Sequence, residues 1–305
     1  MDTEQALDVV KQLKDLNVLH VSITGGEPFL RTDIFDILAA AKNLGLKISI
    51  NTNAWTLDED RVKRLCEMGI ETTYLSLDGA TPESNGKIRG REEGFERVFR
   101  AIKLFSRHRG MNGSKVFINT TINHINAPEL EDLAKVVADS GVDGWTMSVI
   151  QNVDIYKPKP EVLLTGDDMQ IVGKSLREIR RKYSHLLPHM VEYFENFENS
   201  ALHPCRLYKY RCVAGYLTLM IHPNGDVFPC PVAYIKAGNL LQKPLRDIWY
   251  DDMQEIRQKI KQGKHPICWF DCIAPMNLLM SYISPLRWYK LFNPRLIKHL
   301  IHKSV

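Results

Sequence analysis

Apolar and polar residues follow two different rhythms along the first half of the chain. Residues 3–16 place Ala6, Val9, Val10 and Leu13 at helical spacing, and Val18 to Ile23 is a short β-rich run that stops at Gly25-Gly26. The alternation then repeats, predicting helices near 34–44, 58–69, 94–108 and 128–140 and strands at 47–51, 72–77, 115–122 and 144–149. Thr56 with Glu59, and Asn126 with Pro128 and Glu129, fit N-caps with an acid in the first turn. Strands alternating with helices pair in parallel and are covered by those helices. The pattern predicts five βα units over residues 1–183, opened by a helix with no strand before it, hence a partial βα barrel lacking its first strand. In such folds ligands bind at the carboxyl ends of the strands, so the residues just after each strand are where chemistry is expected.

After Ile150 the regularity stops. Lys157-Pro158-Lys159-Pro160 marks a loop, and Thr165 with Asp168 caps one more helix that runs to about Tyr183. A polar linker is expected at 184–204, a small cysteine-rich hairpin and helix domain at 205–274, and an amphipathic basic tail at 275–305. Asn224-Gly225, between the apolar runs 217–221 and 227–229, signals a β-hairpin. The tail mixes residues such as Trp288, Leu291 and Phe292 with Arg287, Lys290 and Lys298. Such a composition suits weak membrane-surface contact, and packing against the rest of the fold explains it as well.

Composition narrows the function classes. The chain is 44% apolar and 25% charged with a formal charge of +4, ordinary for a globular protein and too mild to argue for nucleic acid. The acidic, polar N-terminus has no signal-peptide pattern, and the expectation is a cytoplasmic protein. Five of the six cysteines, Cys205, Cys212, Cys230, Cys268 and Cys272, lie in the last third, a clustering that favours metal binding over disulfides. Cys66 reads as a buried helical packing residue, and Cys205 as a buried thiol in preference to a spare ligand.

Three strand ends carry small polar groups on one rim: Gly25-Gly26-Glu27-Pro28, then Asn51-Thr52-Asn53, then Ser76-Leu77-Asp78-Gly79. Paired glycines allow close approach of backbone to a ligand, although a tight βα turn needs them equally. Trp145-Thr146-Met147-Ser148, ending the last strand, faces either a ligand base or the core. In the second half, Cys212 is followed by twelve residues, Gly225, four residues and Cys230, and later by Cys268-Trp269-Phe270-Asp271-Cys272. Two cysteines bracketing a hairpin and two more one helical turn apart make a compact tetrathiolate feasible. Spacing alone leaves iron–sulfur and structural zinc open.

These motifs resemble the radical S-adenosylmethionine (SAM) superfamily over nearly all of residues 1–274. The resemblance implies a partial (βα)6 TIM-like barrel plus a SPASM or twitch-type auxiliary iron–sulfur domain. It implies SAM contacts from Gly25, Gly26, Glu27, Pro28, Asn51, Asn53, Ser76, Asp78 and Arg89, with the Gly-Gly-Glu-Pro turn holding the methionyl amino group. It implies an auxiliary [4Fe–4S] cluster on Cys212, Cys230, Cys268 and Cys272. The family's radical cluster sits on a Cys-x3-Cys-x2-Cys loop upstream of that turn, where this sequence has no cysteine. The radical [4Fe–4S] cluster is therefore expected only in a full-length form, and the chain as written is expected not to generate the radical. The leading expectation is an oxidoreductase or a peptide or cofactor maturase. Its partners would be a peptide, protein or small-molecule substrate and a reductant such as a flavodoxin or ferredoxin. The alternatives are a non-catalytic iron–sulfur electron-transfer or binding protein, and a zinc-stabilised SAM-binding protein.

Overall fold

A computed structural model describes residues 1–111, 113–153 and 157–283. The chain runs α1 (Thr3–Asp15), β1 (His20–Ile23), α2 (Ile34–Asn43), β2 (Lys47–Thr52), α3 (Glu59–Glu67), β3 (Thr72–Ser76), α4 (Pro82–Arg89), α5 (Glu93–His108), β4 (Lys115–Ile122), α6 (Leu130–Asp139) and β5 (Gly144–Val149). There follow α7 (Gly166–Tyr183), α8 (Val191–Glu195), α9 (Phe197–Leu202), β6 (Met220–Ile221), β7 (Asp226–Phe228), β8 (Gly238–Asn239), α10 (Leu245–Asp247), α11 (Met253–Lys261) and α12 (Ala274–Ile283). Contacts divide it into two compact units. The first holds Met1–Met147, Lys174–Pro188 and Pro244–Arg246; the second holds Ser148–Gly173, His189–Lys243 and the residues from Asp247 onward.

The first unit is built on the parallel sheet that the alternation predicts. Strand order is β1-β2-β3-β4-β5, without the reversal of a doubly wound sheet. The strands pair in parallel register, as in Val21 with Ile48, Ile50 with Thr73, and Leu75 with Ile118. Burial explains why these segments are strands. Ile48, Ile50, Leu75, Ile118 and Met147 are fully enclosed, and every residue of β5 is buried, as expected of a strand covered on both faces. Trp145 is a core residue: its indole N–H donates to Thr120 Oγ1 at 2.8 Å, and that hydroxyl donates to Leu77 O at 2.6 Å. Cys66 is likewise buried in α3, as its helical context predicts.

Acidic side chains stitch the amino ends of the strands. Glu71, just before β3, accepts the Ile48 amide at 2.7 Å and the Lys42 ammonium at 2.7 Å. Asp143, just before β5, accepts the Val116 amide at 2.8 Å and the Arg109 guanidinium at 2.5 Å. Each carboxylate satisfies a strand amide that has no ladder partner at that level.

Two N-cap expectations need correction. The cap of α3 is Asp58, which accepts the Arg61 amide at 2.9 Å; the Thr56 hydroxyl is buried without a partner. Asn126 caps nothing, because its fully buried side chain is used across the fold. Its amide N–H groups donate to Asp78 O at 2.8 Å and Thr121 O at 3.0 Å, and its Oδ1 accepts the Asn123 amide at 2.8 Å. The Thr165–Asp168 pair does form a reciprocal cap, with Oγ1 of Thr165 accepting the Asp168 amide at 3.2 Å and the Asp168 carboxylate accepting the Thr165 amide at 2.8 Å.

In the second unit the Asn224-Gly225 signal gives the antiparallel hairpin β6–β7, with Gly225 at φ +88°. Strand β8 adds to β7 in antiparallel register. Asn239 clamps the turn by donating to Asp226 Oδ1 at 2.8 Å and Asn224 O at 3.1 Å. Residues 191–202 are helical, and Tyr193, Phe194 and Phe197 pack there with ring centroids 5.1–5.5 Å apart. No helix among the described residues is long and apolar enough to cross a membrane. The tail from 284, with its membrane-contact expectation, lies outside the described residues.

Asn126 gives the first test. Asn126→Ala leaves buried backbone groups of two loops unpaired, and should cost about 2–4 kcal/mol at about 1–3 kcal/mol per orphaned group. Urea unfolding should show a lower midpoint at unchanged slope.

Candidate functional site

The carboxyl ends of β1, β2 and β3 surround a cavity of about 570 Å³. It is lined by Glu27, Leu30, Asn53, Trp55, Thr56, Ser76, Asp78, Ile88, Arg89, Arg91 and Gly94. Five of the nine residues proposed from the sequence for SAM therefore meet on one wall: Glu27, Asn53, Ser76, Asp78 and Arg89.

Glu27 is held by the next strand. Its carboxylate accepts Thr52 Oγ1–H at 2.8 Å, the Asn53 amide at 2.9 Å and the Phe29 amide at 3.3 Å. These bonds fix the turn after β1 against the end of β2. Gly25 lies at φ +134°, in the region open to glycine, and a Cβ at Gly25 or Gly26 would meet nothing within 4 Å. The turn backbone thus faces open space with its polar groups available. Pro28 is buried and starts a short 3-10 turn over Pro28–Leu30, whose last residue lines the cavity. Asn51, two residues before Asn53 along β2, donates to Ser22 Oγ at 3.2 Å.

Asp78 is 5% exposed, and both of its carboxylate oxygens are engaged. Its Oδ1 accepts the Thr121 amide of β4 at 2.7 Å, and its Oδ2 receives the Arg89 guanidinium at 2.5 Å. Its own amide donates to Asn85 Oδ1 at 3.0 Å. Arg89 closes α4, a helix the sequence reading did not anticipate. Thr81 and Ser84 form its capping box, and Gly90 ends it at φ +83°. Gly79 lets α4 dock, since a Cβ there would lie 2.1 Å from the Asn85 nitrogen. The helix thereby delivers the guanidinium to the buried carboxylate, and a buried charge needs such a partner.

Trp55, on the loop after β2, was also missed. The Arg91 and Arg97 guanidinium carbons lie 4.7 and 4.9 Å from its ring centroid. Cation–π contact holds the indole in place at the cavity wall. Only the Asn53-to-Trp55 turn, in which Asn53 Oδ1 accepts the Trp55 amide at 2.8 Å, ties it to the motif read from sequence.

The second unit contains the four cysteines named from spacing, Cys212, Cys230, Cys268 and Cys272. Cys212, Cys230 and Cys268 line one small cavity together with His265, Trp269 and Tyr210. Burial pushes the Cys212 thiol up to about 11, with a further push from Cys230. Burial and then Cys230, Cys272 and Cys212 push the Cys268 thiol up, and burial does the same to Cys230. Cys272 presents exposed surface, yet burial of its sulfur, then Asp271 and Cys230, raise its thiol as well. Among the described residues no three ligating side chains stand close enough to hold a metal ion as they are.

The chemistry of the donor set fits a thiolate-held cationic group. Buried thiols that each oppose another's ionisation become ligands once a metal centre supplies the compensating charge. Local bonds shape the site. The Ala233 amide donates to Cys230 Sγ at 3.1 Å, and the Val213 amide, beside Cys212, donates to the buried Asn277 Oδ1 at 2.9 Å. Trp269, beside Cys268, donates its amide to Gln151 Oε1 at 2.9 Å and its indole N–H to Tyr193 O at 2.8 Å. Cys205 is exposed on the 3-10 turn Pro204–Lys209, which corrects the expectation of a buried thiol; that turn buries Leu207 instead.

Comparison with known proteins bears on both units. Residues 1–149 match the radical SAM superfamily, and residues 212–273 match an iron–sulfur cluster-binding domain, SPASM. The chain is 26% identical to the PqqA peptide cyclase of Rhizobium meliloti, covering 82% of this chain and 66% of that protein. It is 27% identical to the mycofactocin maturase MftC of Mycobacterium tuberculosis, covering 88% of this chain and 68% of that protein. The crystal structure of Streptococcus suis SuiB superposes with a TM-score of 0.65 at 25% identity, covering 85% of this chain and 62% of SuiB. The chain thus spans about two thirds or less of the length of PqqA cyclase and SuiB. The parallel sheet, the Gly-Gly-Glu-Pro rim and the four-cysteine unit agree with these matches, and the chain belongs to the radical SAM superfamily, with a SPASM-type iron–sulfur domain and with SAM and [4Fe–4S] clusters as the cofactors those domains imply.

Proposed function

We propose that the carboxyl-end cavity of the first unit binds SAM, that Cys212, Cys230, Cys268 and Cys272 hold an auxiliary [4Fe–4S] cluster, and that the protein is a radical SAM maturase acting on a peptide. The observation that carries this reading is the convergence of Glu27, Asn53, Ser76, Asp78 and Arg89 on a single cavity. The peptide substrate is supported by the PqqA peptide cyclase, whose name states its own substrate. The electron donor in this reading is a small redox protein such as a flavodoxin or ferredoxin.

Bound SAM would supply a sulfonium open to one-electron reductive cleavage, the electron coming from the external reductant, and a cluster on Cys212, Cys230, Cys268 and Cys272 would supply one-electron transfer. The chain's own residues bind and orient. Glu27 holds the Gly25-Gly26 backbone in place so that its polar groups meet the methionyl end of SAM. Ser76 and Asn53 offer a hydroxyl and an amide on the same wall. Arg89, fixed by one nitrogen to Asp78, keeps further N–H donors for a carboxylate. Asn51, bonded to Ser22, adds a second amide on the β2 side of the rim.

Two measurements test this. Isothermal titration with SAM should give saturable binding, and Glu27→Ala should weaken it by about tenfold or more, corresponding to about 1.4 kcal/mol for loss of the turn's anchor. No SAM binding by the parent chain, or unchanged affinity in the variant, would overturn the site assignment. After anaerobic reconstitution, Cys212→Ser and Cys268→Ser should each lose cluster iron and the associated absorbance, while Cys205→Ser should retain both. Zinc retained in place of iron through reconstitution would refute the cluster.

A further inference from the structure

His265 is half-buried, and among the described residues it is the one lining the cavity shared by the cysteines that turns an enclosed, unpartnered ring nitrogen inward. It lines the cavity that Cys212, Cys230 and Cys268 share, and its Nδ1 is buried without a hydrogen-bond partner. The ring is packed against Tyr208, edge to face, with centroids 6.4 Å apart. The backbone just before it is fixed as well, because the Lys264 amide donates to Lys259 O at 2.8 Å at the end of α11. The imidazole is therefore positioned, and its buried nitrogen awaits a partner.

We propose that His265 donates a hydrogen bond from Nδ1–H to the sulfur atoms of the cluster held by Cys212, Cys230, Cys268 and Cys272, and thereby raises that cluster's reduction potential. The inference rests on the cluster reading given above. A buried donor without an acceptor is rare in a native protein and points to a group that belongs at the site. The cluster provides that acceptor: its sulfides and thiolate sulfurs carry negative charge and accept N–H bonds. Reduction adds one electron to the cluster, so a donor aimed at its sulfur stabilises the reduced form more than the oxidised form. Ala233 already supplies one such N–H to Cys230 Sγ. His265 supplies another from a side chain, which substitution can remove without touching a cysteine.

No covalent step is involved, and the alternative uses of the ring give different results. A histidine that ligated iron directly would be needed for cluster retention. A histidine that only filled space would leave the potential unchanged when replaced by a residue of similar bulk.

The experiment compares the reconstituted parent chain with His265→Leu and His265→Gln, after iron and sulfide analysis of each. The readouts are an EPR-monitored redox titration and the EPR line shape of the reduced cluster. His265→Leu should retain the full cluster at a more negative midpoint potential with an altered line shape. His265→Gln, which keeps an N–H donor, should return most of the way to the parent value. A full cluster with parental potential and line shape in His265→Leu would overturn the inference. Loss of iron from both variants, with the thermal unfolding of the apoprotein unchanged, would make His265 a ligand and overturn it too. Failure of the parent chain itself to hold a four-iron cluster would defeat the underlying cluster reading, and is recognised before either variant is compared.

Discussion

Two carboxylates at the carboxyl ends of the strands, Glu27 and Asp78, set the form of the candidate SAM site. Each follows one strand and bonds a backbone amide of the next: Glu27 takes Asn53, and Asp78 takes Thr121. A parallel sheet leaves unpaired amides where its strands end, and a buried loop cannot give them to water. Using side-chain carboxylates for this purpose fixes the loops that carry the site. It also buries negative charge, and the chain answers by delivering Arg89 to Asp78 at the end of α4. The same solution recurs at the opposite edge, where Glu71 and Asp143 receive Lys42 and Arg109 as well as strand amides. The cationic partners follow from the stitching, and at one edge such a partner becomes part of the ligand wall.

The four-cysteine unit obeys a different constraint. Its sheet is small, with strands of two or three residues, and cannot by itself bury a large core. Aromatic packing supplies the rest. Trp269, 1% exposed, has the Tyr210 ring 4.9 Å away and the Tyr193 ring stacked at 6.1 Å. Glu192 of α8 accepts Tyr210 O–H at 2.7 Å and also bonds the Tyr282 hydroxyl of α12. The loops bearing Cys212 and Cys268 are thus braced by side chains adjacent to the cysteines in sequence. Burial of the thiols raises their pKa values, which keeps them protonated until a metal group compensates the charge.

How much of this the sequence could reveal depends on whether a residue acts locally. Strand β4 was legible because its buried residues alternate strictly along the run, and the hairpin because Asn-Gly has few other uses. The helix α4 was not legible: its buried residues are Asn85 and Gly86, so it shows no apolar stripe. Asn126 read as a cap because asparagine before Pro and Glu caps in isolation, whereas here its amide is needed by Asp78 O and Thr121 O, 48 and 5 residues away. The helices at 191–202 were hidden because Tyr193, Phe194 and Phe197 alternate with glutamates and asparagines that dominate the local composition.

The candidate site divides along the same line. Glu27, Asn53, Ser76 and Asp78 could be named because each lies within three or four residues of a strand end, where an α/β fold concentrates its ligand contacts. Trp55 could not, because what fixes its ring comes from Arg91 and Arg97, about forty residues later on another element. His265 could not either, because a histidine in Lys-His-Pro carries no signal until the space around its Nδ1 is known. Asn51 has a partner of its own in Ser22, a pairing across strands that its place in the motif does not announce. Sequence motifs therefore locate the rim of this site well. Which rim residues face the cavity, and which hold the others in place, is decided by tertiary hydrogen bonds that no local pattern encodes.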